Sequence, residues 1–406
     1  MKILFVVPYV PNMVRVRSYN LICNLVAQGH EVTVATLYSS EQDLADLKVL
    51  ESKVQRVIAY PLSRWRSLWN VTWAVPSRIP LQAVFCWQPQ LIDSLTQLVS
   101  SNDTSFDVVH VEHLRGTKYA LALREAVQHN HIPIIWDSVD NITHLFKQSS
   151  VQSKRWMNRW ITRFELGRTA RYEAWLPDQF ESVLVTSPVD RQAFIDLRNG
   201  QAIQGGIQVL PNGVDLHYFS PDNHVARQPE TLVVSGKMSY HANITMVLFL
   251  VKEIMPLIWQ QIPEVHLQVV GKDPPGIIQA LARNSRIEVT GTVPDLRPYL
   301  RQATLAVAPV PYGAGIQNKV LEAMACATPV IANTQAVSAL TTKSGVEIIL
   351  ANNPAEFAQK VIDLLKDSEQ RSQIGQAGLE YVRRCHDWGG IVNRLVDIYR
   401  SSCTAH

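Results

Sequence analysis

Short, continuously apolar runs alternate with amphipathic stretches along the 406-residue chain. In the first half the runs are "KILFVV" (2–7), "EVTVATL" (31–37), "VQRVIAY" (54–60), "DVVHV" (107–111), "IPIIWD" (132–137) and "SVLVTS" (182–187). In the second half they are "TLVVSG" (231–236), "VHLQVVG" (265–271), "IEVTG" (287–291), "LAVAPV" (305–310), "PVIAN" (329–333) and "EIIL" (347–350). Runs with little polar alternation suit strands covered on both faces. The pattern therefore predicts an α/β protein of two doubly wound halves, each a parallel sheet packed under helices. "SYNLICNLVAQ", then Gly29, then a strand, is the helix stop expected between such elements. The polar, Gly-rich stretch "LRNGQAIQGGIQ" (197–208) reads as a hinge, dividing the chain into domains 1–200 and 201–387. Such halves bind ligands at the C-terminal ends of their strands, in a cleft.

Composition changes this picture little. Hydrophobic residues at 47% and charged residues at 18% suit a globular protein with ample core, and the length suits two domains. A net charge of +3 gives no support for nucleic-acid binding. The five cysteines are scattered with no CxxC spacing, which suggests neither a zinc site nor a disulfide framework and points to a reducing cytoplasm. "MKILFVVPYVPN" is short and ends in prolines, so it reads as a buried strand and not a signal peptide. No stretch is expected to reach the ~20 apolar residues of a membrane span.

Five local features fall at strand ends. "VLPNGVDLHYFSP" (209–221) contains a tight turn at Pro211, Asn212 and Gly213, which a plain inter-domain turn also explains. "VVSGKMSYHAN" (233–243) ends a strand at Gly236 and offers Lys237 to an anion, although loop lysines are commonly just solvated. "GTVPDLRPYL" (291–300) is a third strand-loop-helix junction, where Pro294 and Asp295 also fit simple capping. In "AGIQNKVLEAMACATPVIA" (314–332) a helix begins near Gln317, so Gly315, Ile316 and Gln317 present N–H groups to a phosphate. Lys319 in the first turn opposes the helix dipole, which a bound anion would relieve. Glu322 is a lone acid on an apolar helix, placed to accept from ligand hydroxyls or to pair with Lys319 at i, i+3. Last, "DVVHVEHLRG" (107–116) gathers His110, Glu112, His113 and Arg115 at a strand end, with His110 and Glu112 on one face.

Together these stretches resemble glycosyltransferase family 4, the retaining enzymes of the GT-B fold, over nearly the whole chain. "LPNGVDLHYFSP" matches the family's Pro-Asn-Gly-Val-Asp…Phe-x-Pro segment, and "VLEAMACATPVIA" matches its Glu-Ala-Met-Ala…Pro-Val-Ile segment. The resemblance implies two Rossmann-like domains, the N-terminal one for acceptor and the C-terminal one for a UDP- or GDP-sugar. It also implies a final helix (388–406) that packs back on the first domain. By resemblance Glu322 binds ribose hydroxyls and Lys237 holds the diphosphate, with Lys319 supplying the second charge because Asn243 stands where a base is usual. Val293 lies in the loop that touches the nucleotide base, and His113 with Glu112 lies near the donor sugar.

The family's first glutamate, eight residues before Glu322, is replaced by Ala314. Members from exopolysaccharide clusters resemble this chain in reading Gly-Ile-Gln-Asn-Lys-Val-Leu-Glu there. The departure leaves Gln317 or Asn318 to meet the sugar hydroxyls. "PYVPNMVRVRS" lacks the glycines often found in the first loop and carries Arg15 and Arg17, which with Arg115 suit an anionic or lipid-diphosphate acceptor. "KRWMNRWITRFELGRTARYEAW" (154–175) and "RWRSLWNVTWAVPSR" (64–78) mix tryptophan with arginine, and Trp156 and Trp160 share a helical face. Such faces suit an anionic membrane, and equally a helix with a Trp core face and solvated arginines. The expectation is a cytoplasmic glycosyltransferase, peripheral on the inner membrane face, acting on a glycan or lipid-linked acceptor without metal or other cofactor. A nucleotide-sugar epimerase and a non-catalytic nucleotide-sugar-binding partner protein are the rival readings.

Overall fold

The computed structural model describes residues 1–13, 15–101, 105–129, 131–152, 156–203, 205–222, 224–311 and 316–404. It divides into two compact units, Met1–Pro211 with Ile391–His406, and Asn212–Gly390.

The first unit is built on a seven-stranded parallel sheet. Its strands are β1 (Lys2–Val7), β2 (Glu31–Tyr38), β3 (Arg56–Pro61), β4 (Val108–Glu112), β5 (Ile134–Val139), β6 (Ser182–Val185) and β7 (Ile207–Val209). Their order is β3-β2-β1-β4-β5-β6-β7, so the winding reverses between β1 and β4. The central strand β1 has every residue from Ile3 to Val7 fully buried, as its unbroken apolar run requires.

The second unit holds six parallel strands: β8 (Gln228–Ser235), β9 (His266–Val270), β10 (Ile287–Gly291), β11 (Ala303–Ala308), β12 (Val330–Ala332) and β13 (Ile349–Leu350). Their order is β10-β9-β8-β11-β12-β13, reversing between β8 and β11. In both units the reversal leaves a crevice beyond the strand C-termini, because the flanking loops turn away in opposite directions.

The chain divides after Pro211, later than the stretch read as a hinge. The last two residues of that stretch open β7, which pairs with β6 through Val183↔Ile207 and Val185↔Val209. The turn before it is tight: at Gly205, with φ +75°, a Cβ would stand 2.0 Å from Glu181 O. Gly205 serves a close backbone approach, which the sequence shows only as flexibility. The helix Trp388–Thr404 carries the chain back to the first unit, where Tyr399 Oη bonds His110 Nδ1 at 2.8 Å.

One helix, His241–Gln261, is long and apolar enough by length and composition to cross a membrane, contrary to the expectation of no such stretch. Met246, Val247, Leu250, Ile254, Met255 and Ile258 along it are fully buried in the second unit's core. It is the helix that follows β8 in the βαβ winding.

Candidate active site

In the second unit the predicted residues gather at the β8/β11 reversal. β8 ends into Gly236, whose φ of +144° and lack of a Cβ let Asn243 come close: a Cβ there would lie 2.8 Å from Asn243 Nδ2. Asn243 Nδ2 donates to Lys237 O at 2.9 Å, which fixes the loop and leaves the Lys237 side chain exposed. On the β11 side, the helix Asn318–Ala325 starts from Gln317, which makes no side-chain cap. Lys319 Nζ from this helix reaches Asn243 Oδ1 at 2.5 Å, backed by Met246 Sδ at 3.9 Å. One asparagine thus joins the β8 loop to the helix after β11. Asn318 Oδ1 is buried with no partner among the described residues.

Glu322 and Lys319 perturb each other. Burial pushes the Glu322 carboxyl up to about 7, opposed by the Lys319 charge. Burial lowers Lys319 to about 8, opposed by Glu322. Among the described residues the two form no direct ion pair, and the Glu322 carboxylate has no hydrogen-bond partner. A half-buried acid without a hydrogen-bond partner among the described residues, one helical turn from a half-buried lysine held by Asn243, is an arrangement suited to a polar ligand. Ile316 is half-buried against the core. Ala314 and Gly315 lie outside the described residues. Val293 sits in the loop after β10, at the same edge of the sheet, beside an Asp295–Arg297 pair (2.8 Å) stacked on Tyr218.

In the first unit a second cluster forms where β1 and β4 part. Glu112 is buried at the end of β4, opposite Asp137 in the β4/β5 register. Tyr9, from the loop after β1, donates to its carboxylate. Burial, then the neighbouring Asp137 charge, raise Glu112 to about 7. His113 follows in the left-handed region at φ +65°, and burial with Arg115 lowers it to about 4, so it is neutral at pH 7. A non-glycine residue held at positive φ beside such a cluster marks a site worth its strain. Arg15 lies over the Tyr9 ring at 4.8 Å and donates to Val10 O, with its side chain partly exposed.

Three expectations change. Arg17 was expected to meet an acceptor anion, but it is buried: its guanidinium bonds Asp137 (2.7 and 2.8 Å) and Leu210 O (3.0 Å). It positions the first loop against β5 and the end of the unit. Arg115, expected on the acceptor side, lies over the Phe85 ring, 5.4 Å away. His110 and Glu112 do share a burial state, but so does all of β4, because both sheet faces are covered. Alternation therefore does not single them out. His110 stacks on Phe5 at 4.1 Å and is structural. The sequence reading passed over Tyr9, Asp137 and the linking role of Asn243. Asp137 was visible as the acid ending an apolar run. The side chains of Trp156, Arg159, Trp160 and Arg163, with Lys154 and Arg155, lie outside the described residues.

The model of the glycosyl transferase 4-like domain matches residues 14–213, and that of glycosyl transferases group 1 matches residues 229–367. The chain belongs to glycosyltransferase family 4. The family is one of transferase enzymes, and the two parallel-sheet units are those of its GT-B fold. A D-inositol 3-phosphate glycosyltransferase of Nocardiopsis dassonvillei is 29% identical over 233 residues, 50% of this chain and 52% of the relative. The match thus spans about half that relative's length. Among solved structures, the sucrose-phosphate synthase of Thermosynechococcus elongatus superposes with a TM-score of 0.67 at 18% identity, covering 100% of both chains. Anabaena HepE in complex with UDP superposes at 0.66 with 16% identity, covering 99% of this chain and 100% of that one. The same protein has been solved with UDP-glucose, at a TM-score of 0.64 and 17% identity over the same coverage.

Proposed function

We propose that this chain transfers a sugar from a UDP- or GDP-sugar to a hydroxyl of a lipid-linked, polysaccharide or other glycan acceptor, with retention at the anomeric carbon. The observation that carries the reading is the convergence of Lys237, Lys319, Asn243 and Glu322 at the β8/β11 reversal. In the proposed mechanism, Lys237, Lys319 and the uncapped N-terminus of the helix Asn318–Ala325 face the diphosphate. They stabilise the negative charge that grows as the glycosidic bond to the leaving nucleotide breaks. No metal is required for that role, and activity is expected to survive chelator. Glu322, ionised, accepts from two ribose hydroxyls. Asn318, whose Oδ1 has no partner among the described residues, replaces the acid missing at position 314 and meets the sugar. Val293 flanks the base.

On the first unit, Glu112 and neutral His113 are the proposed polar groups for the acceptor and the transferred sugar, and Arg15 is the proposed contact for an anionic acceptor group. The Nocardiopsis relative is named for an inositol phosphate acceptor. A phosphate-bearing acceptor suits Arg15, and an exopolysaccharide intermediate is the alternative the sequence favours. All five cysteines are free thiols, which suits a reducing cytoplasm.

The deciding experiment is a thermal-shift screen across nucleoside diphosphates, followed by an assay for diphosphate release from the stabilising donor. Stabilisation by UDP or GDP with release from the sugar donor supports the reading. Stabilisation without release under any acceptor would favour a non-catalytic binder, the reading that Ala314 keeps open. No stabilisation by any nucleotide would overturn both.

A further inference from the structure

The helix Arg64–Ala74 turns its apolar side outward. Trp65 is 81% exposed, Leu68 55%, Trp69 59% and Trp73 68%. At 100° per residue these four fall within an arc of about 140° on one helical face. The opposite face, against the unit, is small and polar: Ser67 and Ala74 are buried, and Asn70 Nδ2 donates to Trp87 O at 2.8 Å. A core-seeking helix would be arranged the other way round.

The helix is firmly held in this orientation. Ser63 caps it by accepting from Arg66 N at 3.1 Å. At its far end Arg168, buried, donates to Ala74 O at 2.6 Å and to Ser77 O, while Glu165 accepts from Leu81 N at 2.9 Å. Ile79 and Phe85, both more than a third exposed, extend the apolar surface. Exposed apolar groups this contiguous mark an interaction surface.

Charge indicates the occupant. Between Glu51 and Asp93 the chain has no acidic residue and carries Lys53, Arg56, Arg64, Arg66 and Arg78. Arg64 and Arg78 are exposed at the two ends of the Trp face, and Arg66 is half-exposed. A second copy seated by two-fold symmetry would set these arginines against each other with no acid to offset them. Tryptophan prefers the boundary between headgroups and acyl chains, and arginine beside it favours anionic headgroups.

We propose that the Arg64–Ala74 helix docks the first unit flat on an anionic lipid bilayer, with Trp65, Leu68, Trp69 and Trp73 at the acyl boundary and Arg64 and Arg78 among the headgroups. The inference stands on this surface alone and does not rest on the donor reading. Of the two Trp- and Arg-bearing segments that the sequence offered for a membrane, this is the one whose side chains the structure describes.

The test is flotation of the full-length protein with vesicles of phosphatidylglycerol and phosphatidylcholine, and with phosphatidylcholine alone. The protein should float with the anionic vesicles, less so as salt rises, with a blue shift in tryptophan emission. Replacing Trp65, Trp69 and Trp73 together with Ser should lower the partition coefficient about tenfold or more. These side chains are exposed, so melting temperature and nucleotide binding should not change. Arg64→Glu with Arg78→Glu should remove the preference for anionic vesicles. No flotation of the wild type at low salt would overturn the proposal, as would equal flotation of the Trp variant. A wild-type dimer that the Trp variant converts to monomer would assign the face to a second copy and also overturn it.

Discussion

Glu322 and Lys319 give the sharpest expectations at the scale of single residues. Glu322→Ala should weaken binding of the nucleotide sugar by about tenfold to a hundredfold, since a hydrogen bond to a charged group contributes about 1.5–3 kcal/mol. Its melting temperature should hold, because the carboxylate supports no neighbour among the described residues; calorimetry with the donor checks this. The pH dependence follows from the two shifts. Glu322 titrates near 7, so its ionised, accepting form is lost as pH falls through about 7. Lys319 titrates near 8, so its charge toward the diphosphate is lost as pH rises through about 8. Donor affinity should peak between the two. Glu322→Gln should remove the acid limb and Lys319→Met the alkaline limb, measured with a donor whose diphosphate has no pKa in that window. Lys237→Ala and Lys319→Ala should each lower kcat/KM. Their losses should not add, because both lysines are tied through Asn243 and face one anion. Wild-type turnover in the double variant would rule out the shared role.

At the scale of elements, the site depends on how closely the ends of β8 and β9 approach. Gly271, at φ +151°, follows β9, and a Cβ there would lie 1.7 Å from Gly236 O. Gly271→Ala should force the Gly236–Lys237 loop away from Asn243. A combined loss of thermal stability and nucleotide binding is expected, visible in a melting curve with and without UDP. A site that formed normally in this variant would show that the two loops do not set its geometry. The glycine was legible in "VHLQVVG" only as the end of a strand, because its reason is a contact with a residue 35 positions earlier. Strand identity was more legible than strand ends: "KILFVV" is β1 residue for residue, whereas "LRNGQAIQGGIQ" concealed β7. A three-residue strand is too short to show a hydrophobic period of its own.

On the scale of the molecule, the C-terminal segment matters beyond its length. Ile391–His406 belongs to the first unit although it follows the second in the chain. Ile391, Val392, Leu395 and Tyr399 are fully buried. Truncation after Gly390 should therefore leave a first unit that aggregates or melts early, while the second unit keeps nucleotide binding. Tyr399→Phe isolates the polar part of this contact. It leaves buried His110 Nδ1 without its partner, at a cost of about 1–3 kcal/mol, readable as a lower denaturation midpoint. A truncated protein with an unchanged first transition would show that the segment is dispensable.

By itself the sequence determined the class of fold, most of the strands, and the motifs that place the chain in its family. It also marked Glu322, Lys319, Lys237 and His113 as residues at strand ends with chemistry to spare. These are local properties: an apolar run, a turn residue or a helix start is specified by neighbours in the chain. Only the tertiary structure decided which partners those residues meet. Arg17 looked available beside Arg15 until Asp137, 120 positions away, was seen to hold it. Glu112 was raised to about 7 by burial and then by the Asp137 charge from the next strand, against the hydrogen bond that Tyr9 donates from another loop. The tryptophans of Arg64–Ala74 had a periodicity that suited core and surface equally. Hydrophobic spacing shows that a helix has an apolar face; what covers that face depends on which side the rest of the fold has already filled. Here Arg168 and Asn70 anchor the other side, and the tryptophans face out.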